Sequence, residues 1–213
     1  MKYMRIAAVL ILLVGVLSMS GCKPKVWGID FTVVTDIDDW YQYGLSNISS
    51  MGLWLDNGSE AVAPVAFLGN FTAYLTFELN TKSDGEGDFE LWFTNDWSAD
   101  YWSSVCLEYL STSNMIEYGA YESNGVDDAD LFWDDGMLPS LLREGENVLK
   151  VVKSNKHFTV YINDVFAFSY DQGAIYEGEY YCPGLYSEYW DNTNDWVVYK
   201  DLTVEYTGSM INI

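Results

Sequence analysis

The sequence has few of the residues that carry most catalytic and metal chemistry. Its 213 residues include one histidine, three cysteines and four prolines, and only 10 basic residues oppose 32 acidic ones. So few histidines and cysteines cannot form a zinc site. The serines lack a G-x-S-x-G motif or a comparable base partner. A net charge of −22 argues against nucleic-acid binding, because phosphate backbones would repel the chain.

Aromatic residues are abundant, with nine Trp, 17 Tyr and 10 Phe. Together with the scarcity of proline they argue against disorder, and they favour β-sheets, where rings pack on a pleated surface. The length suits one domain with a real core. His157 directly follows a turn signal and stands opposite the apolar face of its strand, so we expect a surface imidazole and not a general base.

The N-terminal segment predicts export. Two basic residues precede an apolar run, residues 6–17, which is too short to span a bilayer comfortably. The following LSMSGC, residues 17–22, resembles a bacterial lipoprotein signal. That resemblance implies removal of residues 1–21 and lipidation of Cys22, with several acyl chains anchoring the mature chain to a bacterial envelope. Lys23 follows in place of aspartate, which favours the outer membrane over the inner one. The alternative is an ordinary signal peptide with an incidental cysteine.

From Ile29 onward the chain alternates between strand patterns and turn signals. Apolar side chains occupy every second position of residues 71–79, which predicts a strand with one buried face. The pairs Asn155-Lys156 and Asn163-Asp164 predict tight hairpins, because Asn and Asp tolerate positive φ. Two strands of the second hairpin should face each other through these residues: Phe158, Val160, Ile162, Phe166, Phe168 and Tyr170. The last strand should direct Leu202, Val204 and Tyr206 inward.

About ten to twelve short strands in one domain predict a sandwich or a barrel. Only residues 137–144 have a helical pattern. The segment KSDGEG, residues 82–87, contains two glycines and predicts a turn.

The order of four segments resembles the concanavalin A-like sandwiches of laminin G-type, legume-lectin-type and family-16 glycanase domains. The segments are GDFELWF, ENVLKVVKSNKHFTVYINDVFAFSYD, PGLYSEYW and DWVVYKDLTVEY. The resemblance implies an all-β fold, a two-sheet antiparallel β-sandwich of jelly-roll type. It implies little about function, because this fold hosts lectins, hydrolases, adhesion modules and spacers. The resulting division is signal 1–21, lipidated tether 22–28, sandwich 29–208 and tail 209–213.

Family-16 glycanases carry E-x-D-x-E on a strand, with two of the acids as proton donor and nucleophile. Glu86, Asp88 and Glu90 match this spacing. Gly87 stands where that family has an aliphatic residue, within the predicted turn. We therefore favour a solvated acidic turn, and hold catalysis by Glu86 and Glu90 as the alternative.

Asp127, Asp128 and Asp130 supply the oxygen ligands that Ca²⁺ needs, but without the spacing of a known calcium loop. In a chain this acidic, clusters also arise by chance. No other cofactor is indicated.

Once Cys22 is lipidated, Cys106 and Cys182 are left as a pair. An exported chain permits one disulfide between them. Such a bridge requires the two strand-like segments to be neighbours, and two buried thiols are the alternative.

Two polar connections are rich in aromatic residues. Sugar rings stack on indole and phenol rings, while Asn and Asp bind hydroxyl groups. The stacking candidates are Trp97, Tyr101, Trp102, Tyr189, Trp190 and Trp196. These residues could instead fill the sandwich interior. The sequence thus favours a tethered, non-catalytic carbohydrate-binding protein; a glycoside hydrolase and an envelope protein-interaction module are the alternatives.

Overall fold

The computed structural model describes residues 23–79, 86–94, 102–110, 115–124, 126–134, 141–143, 145–174, 176, 179–189 and 197–213. These residues form strands only, joined by turns. The strands are β1 (Lys25–Asp30), β2 (Tyr41–Tyr43), β3 (Ser46–Ser49), β4 (Gly52–Leu55), β5 (Ser59–Val62), β6 (Val65–Leu68), β7 (Phe71–Leu79), β8 (Glu86–Thr94), β9 (Trp102–Leu110), β10 (Met115–Ser123), β11 (Asp128–Asp134), β12 (Gly145–Ser154), β13 (His157–Ile162), β14 (Val165–Asp171), β15 (Tyr180–Tyr189), β16 (Val197–Tyr206) and β17 (Ser209–Asn212).

The strands form two antiparallel sheets, which confirms the predicted sandwich. The eight-stranded sheet has the order β14-β13-β12-β7-β16-β4-β3, with β1 also paired to β16. The nine-stranded sheet has the order β11-β10-β9-β8-β15-β5-β2, with β6 paired to β15 and β17 to β6. The short strands β2 to β6 and β17 raise the number above the predicted ten to twelve, because their runs are too short for a periodic signal.

Aromatic side chains join the sheets. Strict alternation buries every second residue of β7, as the sequence predicts. Phe77 of this strand packs against Phe89 of β8, with ring centroids 4.6 Å apart, and Phe71 packs against Phe93 at 5.1 Å. Leu202, Val204 and Tyr206 of β16 are buried as predicted. Burial of such rings is the main stabilising term of the fold.

Both predicted hairpin turns are present. Asn155, Asn163 and Asp164 have φ of 58°, 52° and 64°, in the left-handed region that Asn and Asp tolerate. His157, directly after the first turn, is exposed and its Nδ1 lies 2.8 Å from Oδ1 of Asp171. The histidine is therefore a surface residue, as predicted.

Phe166 departs from the predicted hairpin. A bulge lets Val160 pair with Phe168 and Tyr161 with Phe166, so that Ala167 is the extra residue. An extra residue reverses the side-chain alternation. Phe168 and Tyr170 are buried as expected, but the prediction for Phe166 is wrong, because its ring lies on the outer face against Tyr161 and is 56% exposed.

The sandwich extends beyond residues 29–208 at both ends, since β1 begins at Lys25 and β17 ends at Asn212. Of the predicted helix at 137–144, only residues 141–143 are described, and Leu141 lies in a turn. Within the described ranges, no helix has the length and apolar character needed to cross a membrane.

A buried amide anchors the chain that leads into β12. Asn147 is fully buried, and its Nδ2 donates to the carbonyl oxygens of Arg143 and Gly145 at 3.0 and 2.9 Å. Its Oδ1 accepts from the backbone N–H of Arg143 and from Nδ2 of Asn163, both at 2.8 Å. The side chain thus satisfies backbone groups that would otherwise be buried without partners.

Replacing Asn147 with leucine, which has nearly the same volume, should lower the free energy of unfolding by about 2–4 kcal/mol, because buried polar groups lose their partners. Urea denaturation measures this difference. Asn47→Ala, on the exposed edge strand β3, should change stability by less than about 0.5 kcal/mol. An equal effect of the two substitutions would contradict the role of this amide.

Candidate functional site

A recess of about 420 Å³ lies on the outer face of the nine-stranded sheet. Phe89, Leu91 and Phe93 of β8 face the core, so the alternate residues face outward. Strand pairing sets Glu90 opposite Tyr186 and Asp88 opposite Glu188, and then Tyr186 opposite Glu60. The recess is lined by Glu60, Asp88, Glu90, Trp92, Tyr121, Tyr186 and Glu188.

Trp92 forms the apolar part of the recess. It packs with Val62, Ala66 and Cys182 in a small cluster separate from the main core. Its partner across the strands is Gly184, where a Cβ would lie only 2.3 Å from the indole Nε1. Glycine at this position therefore lets the indole lie directly against the backbone of β15.

Glu90 is a buried acid in this recess. Burial raises its pKa to about 7, and the charge of Glu188 adds to the rise, while hydrogen bonds from Tyr121 and Ser104 oppose it. The Tyr121 hydroxyl donates to Oε1 of Glu90. Because burial and the Glu90 charge raise the pKa of Tyr121, that hydroxyl keeps its proton and stays a donor.

A second tyrosine–carboxylate pair lies beside the first. The Tyr186 hydroxyl donates to Oε2 of Glu188 at 2.9 Å. Burial, followed by this hydrogen bond and the Glu188 charge, raises the pKa of Tyr186. Burial also raises the pKa of Glu60. The recess thus combines four carboxyl groups with two phenols and one indole.

The acidic motif lies on a strand. Glu86, Asp88 and Glu90 belong to β8, and alternation gives Asp88 and Glu90 the same face. The solvated-turn interpretation is therefore wrong: Gly87 is paired with Tyr189, and Glu90 is only 4% exposed. Asp88 and Glu90 line the recess, and the Glu86 side chain lies outside the described set.

The aspartates proposed for calcium are not brought together. Asp127, Asp128 and Asp130 are exposed. Within the described part of the chain, the one group of three potential ligands with atoms within 4.8 Å is Asp88, Glu90 and Cys106.

The two cysteines are not bridged to each other. β8 lies between their strands, with Cys106 opposite Glu90 and Cys182 opposite Thr94. Two strand spacings alone separate them by about 10 Å, beyond the reach of a disulfide. Both described cysteines are buried, as in the second alternative from the sequence.

The aromatic connections begin at opposite ends of the sheet. β8 and β9 meet at the pair Thr94–Trp102, whereas β15 ends where Tyr189 pairs with Gly87. Seven residues of β8, or about 24 Å, separate these points. Trp97, Tyr101, Trp190 and Trp196 lie outside the described residues, as do the side chains of Trp102 and Tyr189.

Trp92, Tyr121 and Tyr186 are not among the binding residues predicted from the sequence, because the predicted candidates came from aromatic-rich connections and these three residues lie on strands. A signal was present. In FELWFT the alternation places Trp92 on the same face as Glu90 and Thr94. An indole on the polar face of a strand indicates a surface that binds or packs.

No family model matches the chain, and neither does any curated protein. Solved structures do match. One is the CBM2 module of the evolved Dit of Lactobacillus casei BL23 phage J-1, at 16% identity over 90% of this chain and 98% of that one, with a TM-score of 0.60. Another is the Emp47p carbohydrate recognition domain, at 10% identity over 86% and 97%, with a TM-score of 0.62. The chain has a lectin-like jelly-roll fold.

A third match is the Crh5 transglycosylase in complex with NAG, at 12% identity over 87% of this chain and 88% of that one, with a TM-score of 0.57. At such low identities these matches establish the architecture alone. They confirm the two-sheet sandwich that the order of the sequence segments predicted.

The buried acid should make stability depend on pH. Glu90 keeps its proton up to about pH 7 in the folded protein but only to about 4.5 when unfolded. The folded state thus binds more protons at this group, and the contribution of Glu90 to stability falls as the pH rises from about 4.5 through 7. Relative to Glu90→Gln, the wild type should lose on the order of 3 kcal/mol over this range.

Urea denaturation of both proteins at pH 5 and pH 8 measures this loss, and carbon-13 NMR of the Glu90 carboxyl group gives the midpoint directly. A midpoint near 4.5, together with a constant difference between the two proteins, would contradict burial of the acid.

Proposed function

We propose that the protein is a non-catalytic carbohydrate-binding protein tethered to a bacterial envelope, and that the glycan binds in the recess on the nine-stranded sheet. The supporting observation is that aromatic rings and hydrogen-bond acceptors converge there on strands and not on loops. Two matched structures, a carbohydrate-binding module and a carbohydrate recognition domain, are named for the same kind of ligand.

The chemistry of the recess suits a sugar. Tyr121 and Tyr186 are half-buried and offer ring surface, and Trp92 forms the apolar floor. The C–H faces of a pyranose pack on such rings. Asp88 and Glu188 can accept hydrogen bonds from sugar hydroxyl groups, and ionised acceptors make the stronger bonds.

The charge of the recess restricts the ligand. Its described lining contains four carboxyl groups and no lysine or arginine. A uronic acid or sulfated sugar would meet like charges in a partly desolvated site. The proposed ligand is therefore a neutral glycan.

Removing the floor of the recess should weaken binding strongly. Trp92→Ala should reduce retention in affinity gels of neutral polysaccharides by about tenfold or more, since it deletes an aromatic contact and the cluster beneath it. Gly184→Ala should weaken binding as well, because the new methyl group displaces the indole. Phe166→Ala, which removes an exposed ring of the other sheet, is the matched control.

Circular dichroism must show that each variant is folded. Retention of the Trp92 and Phe166 variants to the same degree would contradict the assignment. If the wild type binds no polysaccharide at all, the interaction-module alternative takes its place, and crosslinking in whole cells would then identify a protein partner.

Hydrolysis of a glycan is the second candidate, favoured by Glu90 alone. An acid that keeps its proton near neutral pH beside other carboxylates has the properties of a glycosidase proton donor. A matched structure, Crh5, is named as a transglycosylase. If the protein is a hydrolase, the wild type releases reducing sugar from a glycan and Glu90→Gln does not. Equal release by the two proteins would contradict catalysis by Glu90.

The tether is proposed from Cys22 in the lipoprotein-like segment. β1 begins at Lys25, so a lipid on Cys22 would hold the sandwich next to the bilayer. Cys22→Ser should move the protein from the membrane to the soluble fraction and abolish incorporation of labelled fatty acid. Unchanged labelling of the serine variant would contradict lipidation at this residue.

A further inference from the structure

A lysine occupies a core position at the end of β12. Leu149 and Val151 face the interior of the sandwich, and the alternation gives the next inward position to Lys153, which is 5% exposed. An apolar residue is expected at such a position, because burial of an ammonium group is costly. Burial lowers the pKa of Lys153 accordingly.

Two carbonyl oxygens and an aromatic ring hold this ammonium group. Its Nζ donates to the carbonyl oxygens of Asn155 and Gly69 at 2.7 and 3.1 Å and lies 4.2 Å from the ring centre of Tyr181. Among the described side chains no carboxylate forms an ion pair with Lys153, although the chain has 32 acidic residues. The positive charge is therefore fixed in place but not neutralised by a described ion pair.

Lys153 lines a second recess, of about 790 Å³. Lys156 lies on its rim, in the turn between β12 and β13, and is exposed. The wall is braced, because the N–H of Gln172 donates to the carbonyl of Lys156 at 2.7 Å and the Tyr181 hydroxyl donates to Oε1 of Gln172 at 2.6 Å. The backbone that carries Lys156 is thus held in place, and Lys153 is fixed by its own two hydrogen bonds.

Lysines and carboxylates both lie around this recess. Strand pairing connects Lys153 to Phe71, Phe71 to Tyr206 and Tyr206 to Lys25, so a third lysine belongs to the same end of the sheet. Among the described residues one carboxylate, the exposed Glu179, lines the recess, and the buried Glu122 lies behind its wall, where it accepts hydrogen bonds from the backbone N–H groups of Gly173 and Tyr176. Because Glu179 is exposed, water and salt screen its charge more than that of the buried ammonium.

We propose that this recess is a second binding site, which takes an acidic saccharide through a carboxylate or sulfate group placed between Lys153 and Lys156. The oxyanion supplies a counter-charge, which no ion pair among the described residues provides for the buried ammonium, and charge-assisted hydrogen bonds of this kind are strong. A recess of this volume is larger than a single oxyanion requires, and it accommodates a small sugar that carries the oxyanion. The two recesses would then select different ligands, neutral in the first and anionic in the second.

Calorimetric titration with an oligomer of galacturonic acid tests the site, and the methyl ester of the same oligomer is the uncharged control. The acid form should bind and the ester should not. Lys153→Met, which keeps a long side chain but removes the charge, should weaken binding by about tenfold or more, and the exposed Lys156→Gln should weaken it by about threefold or more. Lys150→Gln, on the opposite face of β12, should bind like the wild type.

The failure of this site is distinguishable from failure of the first. Trp92→Ala should bind the acidic oligomer as the wild type does, and a neutral glycan should not compete with it. Equal affinity of the ester and the acid, or unchanged affinity in both the Lys153 and Lys156 variants, would overturn the proposal. So would equal affinity for inorganic phosphate, or binding only to vesicles of phosphatidylglycerol, since the ligand would then be a simple ion or a lipid surface.

Discussion

The packing of Phe77 of β7 against Phe89 of β8 is the contact on which the rest of the structure depends. It fixes which face of each central strand turns inward, and a strand has only two faces. Once Phe89 is buried, Asp88, Glu90 and the other alternate residues of β8 must face outward. A register shift by one residue would bury the acids and expose the rings. The recess is therefore a consequence of the core.

Each recess contains an ionisable side chain whose charged form is costly to bury. The two side chains are stabilised in different ways. Glu90 reaches neutrality by holding its proton, because burial outweighs the hydrogen bond from the Tyr121 hydroxyl, which favours the ionised form. Lys153 keeps its position through two carbonyl oxygens and a phenol ring. Hydrophobic residues at these two positions would stabilise the fold more than Glu90 and Lys153 do. Retaining an ionisable group in a cavity is typical of a binding site, since the ligand can then supply the missing interaction.

Much of the fold could be predicted from the sequence, because alternation and turn chemistry are local. Residues 71–79 and the two Asn-led hairpins carry their structure in a few neighbouring residues. The bulge at Ala167 could not be predicted, since it depends on how Phe166 and Phe168 pair with Tyr161 and Val160 of the neighbouring strand. The turn predicted around Gly87 was wrong for the same reason. Glycine favours a turn locally, but pairing with Tyr189 holds Gly87 in β8.

The site was the harder prediction, because it is built across strands that are distant in the sequence. Glu60, Glu90 and Tyr186 become neighbours only through sheet register. The most direct test of the account is a crystal structure of the protein soaked with a neutral oligosaccharide that it retains. The account predicts a sugar ring beside Tyr121 and Tyr186, over Trp92. A sugar bound only at the sheet ends, next to Thr94 or Tyr189, would contradict it.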